Sequence, residues 1–259
     1  MTRRNMLHTS AASLSAAAAS AAPGKPAVLQ LLKIRLRTNQ DNQRQRMTDF
    51  LKGTVLPACE RVGIRKVGFF QSSVAPDTPF LLTLLSYPSL AAMEESQDKL
   101  AADKGYLEGR AALDKMPGLS YVRLESTLMR GFATMPDIEV PPVVEGKPPR
   151  LFELRTYESN NATTLARKIK MFDEGEIALF RKIGLMPVFF GQTIIGTNMP
   201  NLTYMVAFDD LASREKNWRT FATSPEWQKL RSMPGFGDGE IVSNISNILV
   251  QALPFSPVR

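Results

Sequence analysis

The chain has 259 residues, of which 44% are hydrophobic and 22% are charged, and its formal net charge is +7 at pH 7. This composition is that of an ordinary folded protein that can bury one large core or two small ones. Three of the positive charges belong to an N-terminal segment without acids, no basic stripe alternates with aromatic residues, and no stretch approaches the roughly 20 apolar residues of a membrane span, so we expect neither nucleic-acid binding nor a transmembrane segment.

The first residues predict a targeting segment rather than part of the fold. Arg3 and Arg4 are followed by an Ala/Ser-rich, weakly apolar run that ends near Ala22. This pattern resembles a bacterial twin-arginine export signal over residues 1–25 and predicts an exported, periplasmic or extracytoplasmic protein. A mitochondrial transit peptide is the alternative, because that class is also rich in Arg and Ser and poor in acids.

Two residue types that often carry chemistry are scarce. The only histidine, His8, lies in the targeting segment, so the remaining chain can form no His general base, His-based triad or imidazole-ligated metal or haem. The only cysteine, Cys59, can form neither an intramolecular disulfide nor a thiolate cluster. Its apolar surroundings predict an inert core thiol. We therefore expect neither a metal nor a cofactor.

Residues 26–134 predict one βαββαβ unit, the ferredoxin-like order. Alternating and β-branched segments predict four strands, and apolar residues at helical spacing predict two helices. The strands are expected at Leu29–Arg37, Lys66–Ser73, Phe80–Tyr87 and Ser120–Arg130, and the helices around Arg44–Arg61 and Leu90–Ala102. Residues 135–149 contain five prolines and predict an extended linker.

Residues 150–259 predict the same order a second time. The strands are expected at Leu151–Tyr157, Met186–Ile195, Leu202–Phe208 and Glu240–Val250, and the helices at Thr163–Lys182 and Leu211–Phe221, with a short helix restarting at Pro225. The two segments align at a shift of 120 or 121 positions, with Leu32–Arg35 against Phe152–Arg155 and Val62–Ile64 against Ile183–Leu185. Met116-Pro117-Gly118 recurs as Met233-Pro234-Gly235 at a shift of 117. The sequence therefore predicts an α+β protein made of two tandem repeats.

Three motifs of the second copy resemble the signature of NIPSNAP domains. They are Phe152–Tyr157, Phe208–Glu215 and Ser224–Trp227, in the right order and at the right spacing. The first copy departs from the pattern, since Lys33 replaces the acidic residue, Arg37 the tyrosine and Lys104-Gly105-Tyr106 the Pro-Glu-Trp triplet.

The resemblance implies a dimeric α+β barrel, in which two ferredoxin-like sheets close into one barrel with their helices outside. Here both units belong to one chain, so the pairing would be intramolecular. One unit covers only one sheet face with its helices, so the other face needs such a partner. We expect the strand face with Lys33, Arg35 and Arg37 in the first copy, and the face with Glu153, Arg155 and Tyr157 in the second, to point into the barrel.

These charged residues admit two interpretations. As a ligand site, Arg155 would bind an anionic or carbonyl group, with Glu153 and Tyr157 as hydrogen-bonding or proton-transfer partners. As structure, Glu153 and Arg155 would be part of a buried ion-pair network, and Arg35 aligns with Arg155 under either interpretation. Any small-molecule site is expected to depend on the second copy.

Other candidates come from the aromatic and amide residues. Gln192 and Asn198 are amides that could carry polar chemistry, and the loop that contains Asn198 could line the mouth of the barrel, although a plain hairpin turn is the simpler role. Tyr204, Trp218 and Trp227 could wall a small hydrophobic pocket, although pinning the helices to the sheet is the simpler role of the two tryptophans. Further residues of this kind are Phe189, Phe190, Phe221 and Asn201. Arg214 and Glu215 are expected on a solvent-facing helix side.

Three functions are compatible with this sequence. The first is a non-enzymatic binding protein that takes a small, partly apolar ligand or a protein partner in or around the barrel. The second is a cofactor-independent oxygenase or isomerase, because related barrel families contain both. The third is a structural scaffold. A cavity over roughly 300 Å³ lined by polar groups would favour the first two, and a solidly packed barrel would favour the third.

Overall fold

The computed structural model describes residues 25–143, 146 and 148–259. The predicted export signal, with its twin arginines and the lone histidine, lies outside these residues. Within the described part, no helix combines the length and the apolar character that crossing a bilayer requires.

The first half contains four strands and two helical regions, and each helical region consists of more than one piece. The elements are β1 (Val28–Arg35), α1 (Gln43–Phe50), a π-helical turn (Leu51–Val55), α2 (Leu56–Val62), β2 (Val67–Val74), β3 (Phe80–Tyr87), α3 (Leu90–Ala102), α4 (Lys104–Asp114) and β4 (Arg123–Gly131). The predicted strands and helices are confirmed to within about three residues at each end. Helix α4 was not predicted.

The second half has the same order of elements plus one short helix before its last strand. They are β5 (Leu151–Glu158), α5 (Ala162–Met171), a π-helical turn (Phe172–Glu176), α6 (Ile177–Lys182), β6 (Met186–Ile195), β7 (Asn201–Phe208), α7 (Leu211–Thr223), α8 (Pro225–Arg231), α9 (Asp238–Ile241) and β8 (Asn244–Ala252). The predicted last strand began too early, because residues 238–241 form a short helix. The Pro-rich segment between the halves has no helix or strand among its described residues, yet Met135 and Ile138 are buried.

The two halves have helix-capping residues at equivalent positions. Gly63 and Gly184 each end a helix with a φ of 86°, a left-handed backbone conformation that glycine adopts without steric penalty. At the start of α3 the Ser89 hydroxyl accepts a hydrogen bond from the Ala92 N–H, and at the start of α7 the Asp210 carboxylate accepts one from the Ser213 N–H. The chain therefore turns at equivalent places in both halves.

The eight strands form a closed barrel in the order β1-β3-β2-β8-β5-β7-β6-β4. Every neighbouring pair is antiparallel. The strands of each half are contiguous, and the halves meet at two seams. One seam pairs β2 with β8 and the other pairs β4 with β6.

Three apolar layers follow from this closure. One fills the barrel interior, and one lies between the sheet and the helices of each half. Large buried side chains occupy the interior, including Phe70, Phe80, Met129, Phe152, Phe189 and Met205. The interior is therefore a packed core rather than a polar chamber.

Candidate functional site

The residues Glu153, Arg155 and Tyr157 lie on β5 and face the helices of the second half. The expectation that they point into the barrel was wrong, because Phe152 and Leu154 occupy the interior and successive side chains of a strand alternate between its faces. The three polar residues therefore lie between the sheet and helices α5 to α8.

Glu153 is fully buried and accepts four hydrogen bonds. Arg214 donates from Nε and Nη2 at 2.8 Å each, Arg155 donates from Nη1 at 2.8 Å, and Trp218 donates from its indole N–H at 2.7 Å. Burial by itself raises the pKa of this carboxyl, but the hydrogen bonds from Arg214 and Trp218 and the positive charge of Arg155 outweigh it, so the net pKa lies below the ordinary value of 4.5. Glu153 is therefore a charged, saturated acceptor.

Arg155 connects this carboxylate to a pair of tyrosines. Its Nη2 donates to the Tyr157 hydroxyl at 3.2 Å, and that hydroxyl lies 3.0 Å from the hydroxyl of Tyr204. The guanidinium also lies 4.6 Å from the ring centre of Trp218, within cation–π range, while its Nε is buried without a partner. Burial, followed by the neighbouring Tyr157, raises the pKa of Tyr204 well above its usual value, so this phenol stays protonated at neutral pH.

A second ion pair lies nearby and was not predicted. The Lys168 ammonium is 3.0 Å from the Glu176 carboxylate and 3.9 Å from that of Asp238, and both Lys168 and Glu176 are buried. The ammonium lies 4.7 Å from the ring centre of Phe172 and 5.4 Å from that of Trp227. Burial raises the pKa of Glu176 although Lys168 opposes the shift.

The sequence does carry a signal for this pair. Leu165, Lys168, Phe172 and Glu176 follow one another at helical spacing, so two charges of opposite sign fall on the apolar stripe of one helical region. Charges placed on a buried stripe are expected to pair.

Arg214 is also placed differently from the prediction. It was expected on the solvent side of its helix, but Arg214 and Trp218, one turn apart on α7, both contact Glu153. Glu215 is exposed, as predicted. The capping residue Asp210 marks the start of α7, one turn before Arg214. Counting helical turns from this start could have predicted which side of α7 carries Arg214.

The remaining predicted site residues do not join the cluster. Arg35 forms an ion pair with Asp77 at 3.0 Å in the first half. Gln192 and Asn198 are exposed, and the Asn198 carbonyl accepts a hydrogen bond from Asn201 within the β6–β7 turn. Of the predicted set, the structure brings together only Glu153, Arg155, Tyr157 and Tyr204.

The hydrogen-bond register also corrects the alignment of the two first strands. Val28 pairs with Tyr87, and Leu151 pairs with Phe208 at the corresponding end of the second half. Gln30, Leu32 and Ile34 are therefore the structural counterparts of Glu153, Arg155 and Tyr157. Lys33 and Arg35 are not, and Lys33 instead lies 4.8 Å from the ring centre of Phe80.

A groove of about 890 Å³ lies outside the barrel, beside the seam between β2 and β8. The end of β2, the Pro-rich segment, the start of α7 and the residues after β8 line it. Three of its lining residues, Val74, Val143 and Leu211, are apolar side chains that are more than half exposed. Among the described residues, no three His, Cys, Asp or Glu side chains lie close enough together to hold a metal ion.

Comparison with known proteins identifies the second half. The family model for NIPSNAP matches residues 152–257. These residues form a NIPSNAP domain. The match covers the whole polar cluster around Glu153, whereas the groove is shared between this NIPSNAP domain and residues outside it.

Solved structures show which fold the whole chain shares. A proposed monooxygenase from Fusobacterium nucleatum is 10% identical, with a TM-score of 0.59 over 88% of this chain and 93% of its own. Another from Lactobacillus acidophilus is 7% identical, with a TM-score of 0.59 over 91% of this chain and all of its own. A NIPSNAP-like protein from Burkholderia xenovorans is 21% identical over 42% of this chain and 89% of its own, with a TM-score of 0.37.

The two structures that cover most of this chain share its fold, the α+β barrel, and at this identity they carry no further conclusion. No curated protein matches the chain.

Proposed function

We propose that this protein is a non-enzymatic binding protein and that a small, partly apolar molecule occupies the groove beside the β2–β8 seam. The volume of about 890 Å³ falls within the range of roughly 300–1,000 Å³ that small-molecule sites have. Val74, Val143 and Leu211 expose apolar surface there from three separate segments of the chain. Exposed apolar surface concentrated in a concave site favours ligand binding.

The ligand belongs in the groove rather than inside the barrel. The barrel interior is filled by aromatic and aliphatic side chains, so a ligand there would have to displace packed core. Glu153, Arg155 and Tyr157, which were expected to line that interior, lie instead under the helices, where Glu153 already accepts four hydrogen bonds. We assign this cluster the structural role of joining β5 to α7.

Binding of the apolar, anionic probe anilinonaphthalene sulfonate tests the groove. Fluorescence titration of the folded chain is expected to show saturable binding that Val74→Glu or Leu211→Glu weakens by about tenfold, because each places a carboxylate in the apolar wall. A glutamate at position 211 follows the capping residue Asp210 in the first turn of α7, where a negative charge is tolerated.

Ile195→Glu is the matched control, since Ile195 is 62% exposed and does not line the groove. Equal loss of binding in all three variants, or no saturable binding by the parent chain, would refute the groove proposal.

The second candidate function is a cofactor-independent oxygenase or isomerase that uses Arg155, Tyr157 and Tyr204. The linked hydroxyls of the two tyrosines favour it, and the two proposed monooxygenases share the fold. We rank it below binding because the Tyr204 phenol stays protonated at neutral pH and the Glu153 carboxylate has no free acceptor position for a substrate proton. A scaffold remains the third function, favoured if the groove binds nothing.

We infer that the two halves are diverged ferredoxin-like repeats paired within one chain. Equal element order, the shared sheet order of β4-β1-β3-β2 and β8-β5-β7-β6, and a helix-ending glycine at the same place in each half support this. The NIPSNAP match is confined to the second half, consistent with greater divergence of the first.

We also infer that the chain is exported through its twin-arginine segment. Replacing Arg3 and Arg4 by Lys in a bacterial host should retain the precursor inside the cell, because both arginines are needed for recognition in that class of signal. Fractionation followed by immunoblotting measures the distribution. Unchanged export of the Lys variant would exclude this class of signal, and uptake of the precursor by isolated mitochondria would favour the alternative.

A further inference from the structure

One edge of β4 has no strand partner along its first half. β4 pairs with β1 from Arg123 to Arg130, but it pairs with β6 only from Leu128 to Gly131. Among the described strands, none lies against the other edge of residues 123–127. An unpaired edge displays backbone N–H and C=O groups that can hydrogen-bond to another strand.

The alternation of the backbone identifies which groups are free at this edge. The Gly131 N–H donates to the Ala27 carbonyl at 2.9 Å, so the odd-numbered residues of β4 direct their backbone groups toward β1. The backbone groups of Leu124 and Ser126 therefore point away from β1. The neighbouring side chains of Val122 and Leu124 are apolar and about half exposed.

We propose that this edge pairs with the same edge of a second copy of the chain, antiparallel, with Leu124 opposite Leu124 of the partner subunit. The charges select this register. Arg123, whose Nη1 lies 3.6 Å from the Glu125 carboxylate of its own chain, then also lies opposite Glu125 of the partner subunit, and the symmetry forms this contact between subunits twice. Both side chains belong to non-hydrogen-bonded positions, where opposed residues are closest.

The other two antiparallel registers are unfavourable. Centring the pair on Glu125 places two carboxylates opposite each other. Centring it on Ser126 requires the backbone of Leu128, which already pairs with Ile195 of β6. The register centred on Leu124 places opposite charges across the pair and uses the free backbone groups of Leu124 and Ser126, whereas the Val122 N–H already donates to the Arg35 carbonyl at 2.8 Å.

The equivalent stretch of β8 lacks this complementarity. Residues 244–248 also pair on one side only, with β5, because β2 joins β8 from Leu249 onward. These residues are Asn, Ile, Ser, Asn and Ile, so no charges select a register there. A β4–β4 contact is isologous and closes at two subunits.

Sedimentation velocity of the full chain over a range of concentrations tests the dimer. A seam this short buries less than the roughly 1,200 Å² of stable complexes, so we expect a salt-sensitive dimer with a micromolar dissociation constant. Arg123→Glu and Glu125→Arg should each weaken it by about tenfold, because each single variant opposes like charges twice. The double variant should restore the affinity to within about threefold.

Proline variants test the backbone pairing with a matched control. Leu124→Pro removes an N–H that points to the free edge and leaves the bonds to β1 in place, so it should abolish the dimer. Ile245→Pro makes the same change at the equivalent position of β8 and should leave the dimer intact. Thermal melting shows whether each proline variant is folded. If Leu124→Pro does not fold, the charge variants at Arg123 and Glu125 test the proposal instead.

Three results would overturn the proposal: a monomer at every concentration, a dimer that the charge variants leave unchanged, or assemblies larger than two subunits that Ile245→Pro dissolves.

Discussion

In the first half, the face of β1 that meets the helices carries Gln30, Leu32 and Ile34, whereas the equivalent face of β5 carries Glu153, Arg155 and Tyr157. The two halves also differ in the helices that pack on these strand faces. The two π-helical turns are equivalent, and the positions that hold Lys168 and Glu176 in the second half hold Met47 and Val55 in the first.

The same backbone therefore supports an apolar layer in one half and an ionic one in the other. In the first half, Gln30 accepts a hydrogen bond from the Tyr87 hydroxyl and donates one to Ser126, without a charged group. The fold does not require the ion pairs of the second half. In the described residues they occur in the second half, and the first half supplies the residues that can replace them.

The largest expected effect comes from breaking the fully buried ion pair. Glu176→Val leaves the Lys168 ammonium without its closest partner and should lower the free energy of unfolding by about 3–5 kcal/mol. Adding Lys168→Met reproduces the pair found in the first half and should return stability to within about 1 kcal/mol of the parent. Urea denaturation measures both.

Asp238→Asn controls for the more distant carboxylate, at 3.9 Å from Lys168, and should change little. A double variant as unstable as Glu176→Val would show that the ionic layer cannot be exchanged for the apolar one.

A smaller loss of stability is expected when leucine replaces Glu153 on β5, and a still smaller one when it replaces Gln30 at the equivalent position of β1. Glu153→Leu removes the common acceptor of Arg155, Arg214 and Trp218 and should destabilise the protein by about 2–4 kcal/mol, since the two arginines keep only limited access to water. Gln30→Leu removes neutral hydrogen bonds and should lower stability by about 1 kcal/mol. Equal losses in the two halves would mean that the charges of the second half add nothing.

The smallest effect is a pH dependence specific to Glu153. Because its pKa is lower in the folded protein than the ordinary value of 4.5, the carboxylate contributes stability that is fully present well above pH 4.5 and is lost as the pH falls through the lowered pKa. The difference in unfolding free energy between the parent and Glu153→Gln should therefore be constant near neutrality and shrink below pH 4.5. A difference that persists unchanged at pH 3 contradicts the prediction.

Most of the fold was predictable because its signals are local. Alternation, helical spacing and glycine placed the strands and helices of both halves, and the motif at Phe152–Tyr157 identified the NIPSNAP domain. Helix α4 was missed because Lys104–Asp114 contains two glycines and buries little apolar surface, so it lacks a clear apolar stripe.

The candidate site was only partly predictable. Alternation along β5 correctly placed Glu153, Arg155 and Tyr157 on one face, and the sequence even indicated that buried charges there would need partners. It could not identify Arg214 as the main partner, because residues 61 positions apart meet only when α7 packs over β5.

The sequence alone determined the order of elements, the two-half organisation and the alternation of side chains, since each depends on residues close together in the chain. Only the tertiary structure decided which strand face became the barrel interior. Closing eight strands into a barrel encloses one face of each, and the packing of Phe152 against Phe70 across the β2–β8 seam selects the apolar face of β5. The polar face of β5 consequently lies under the helices, and the groove and the unpaired edge of β4 lie outside the barrel.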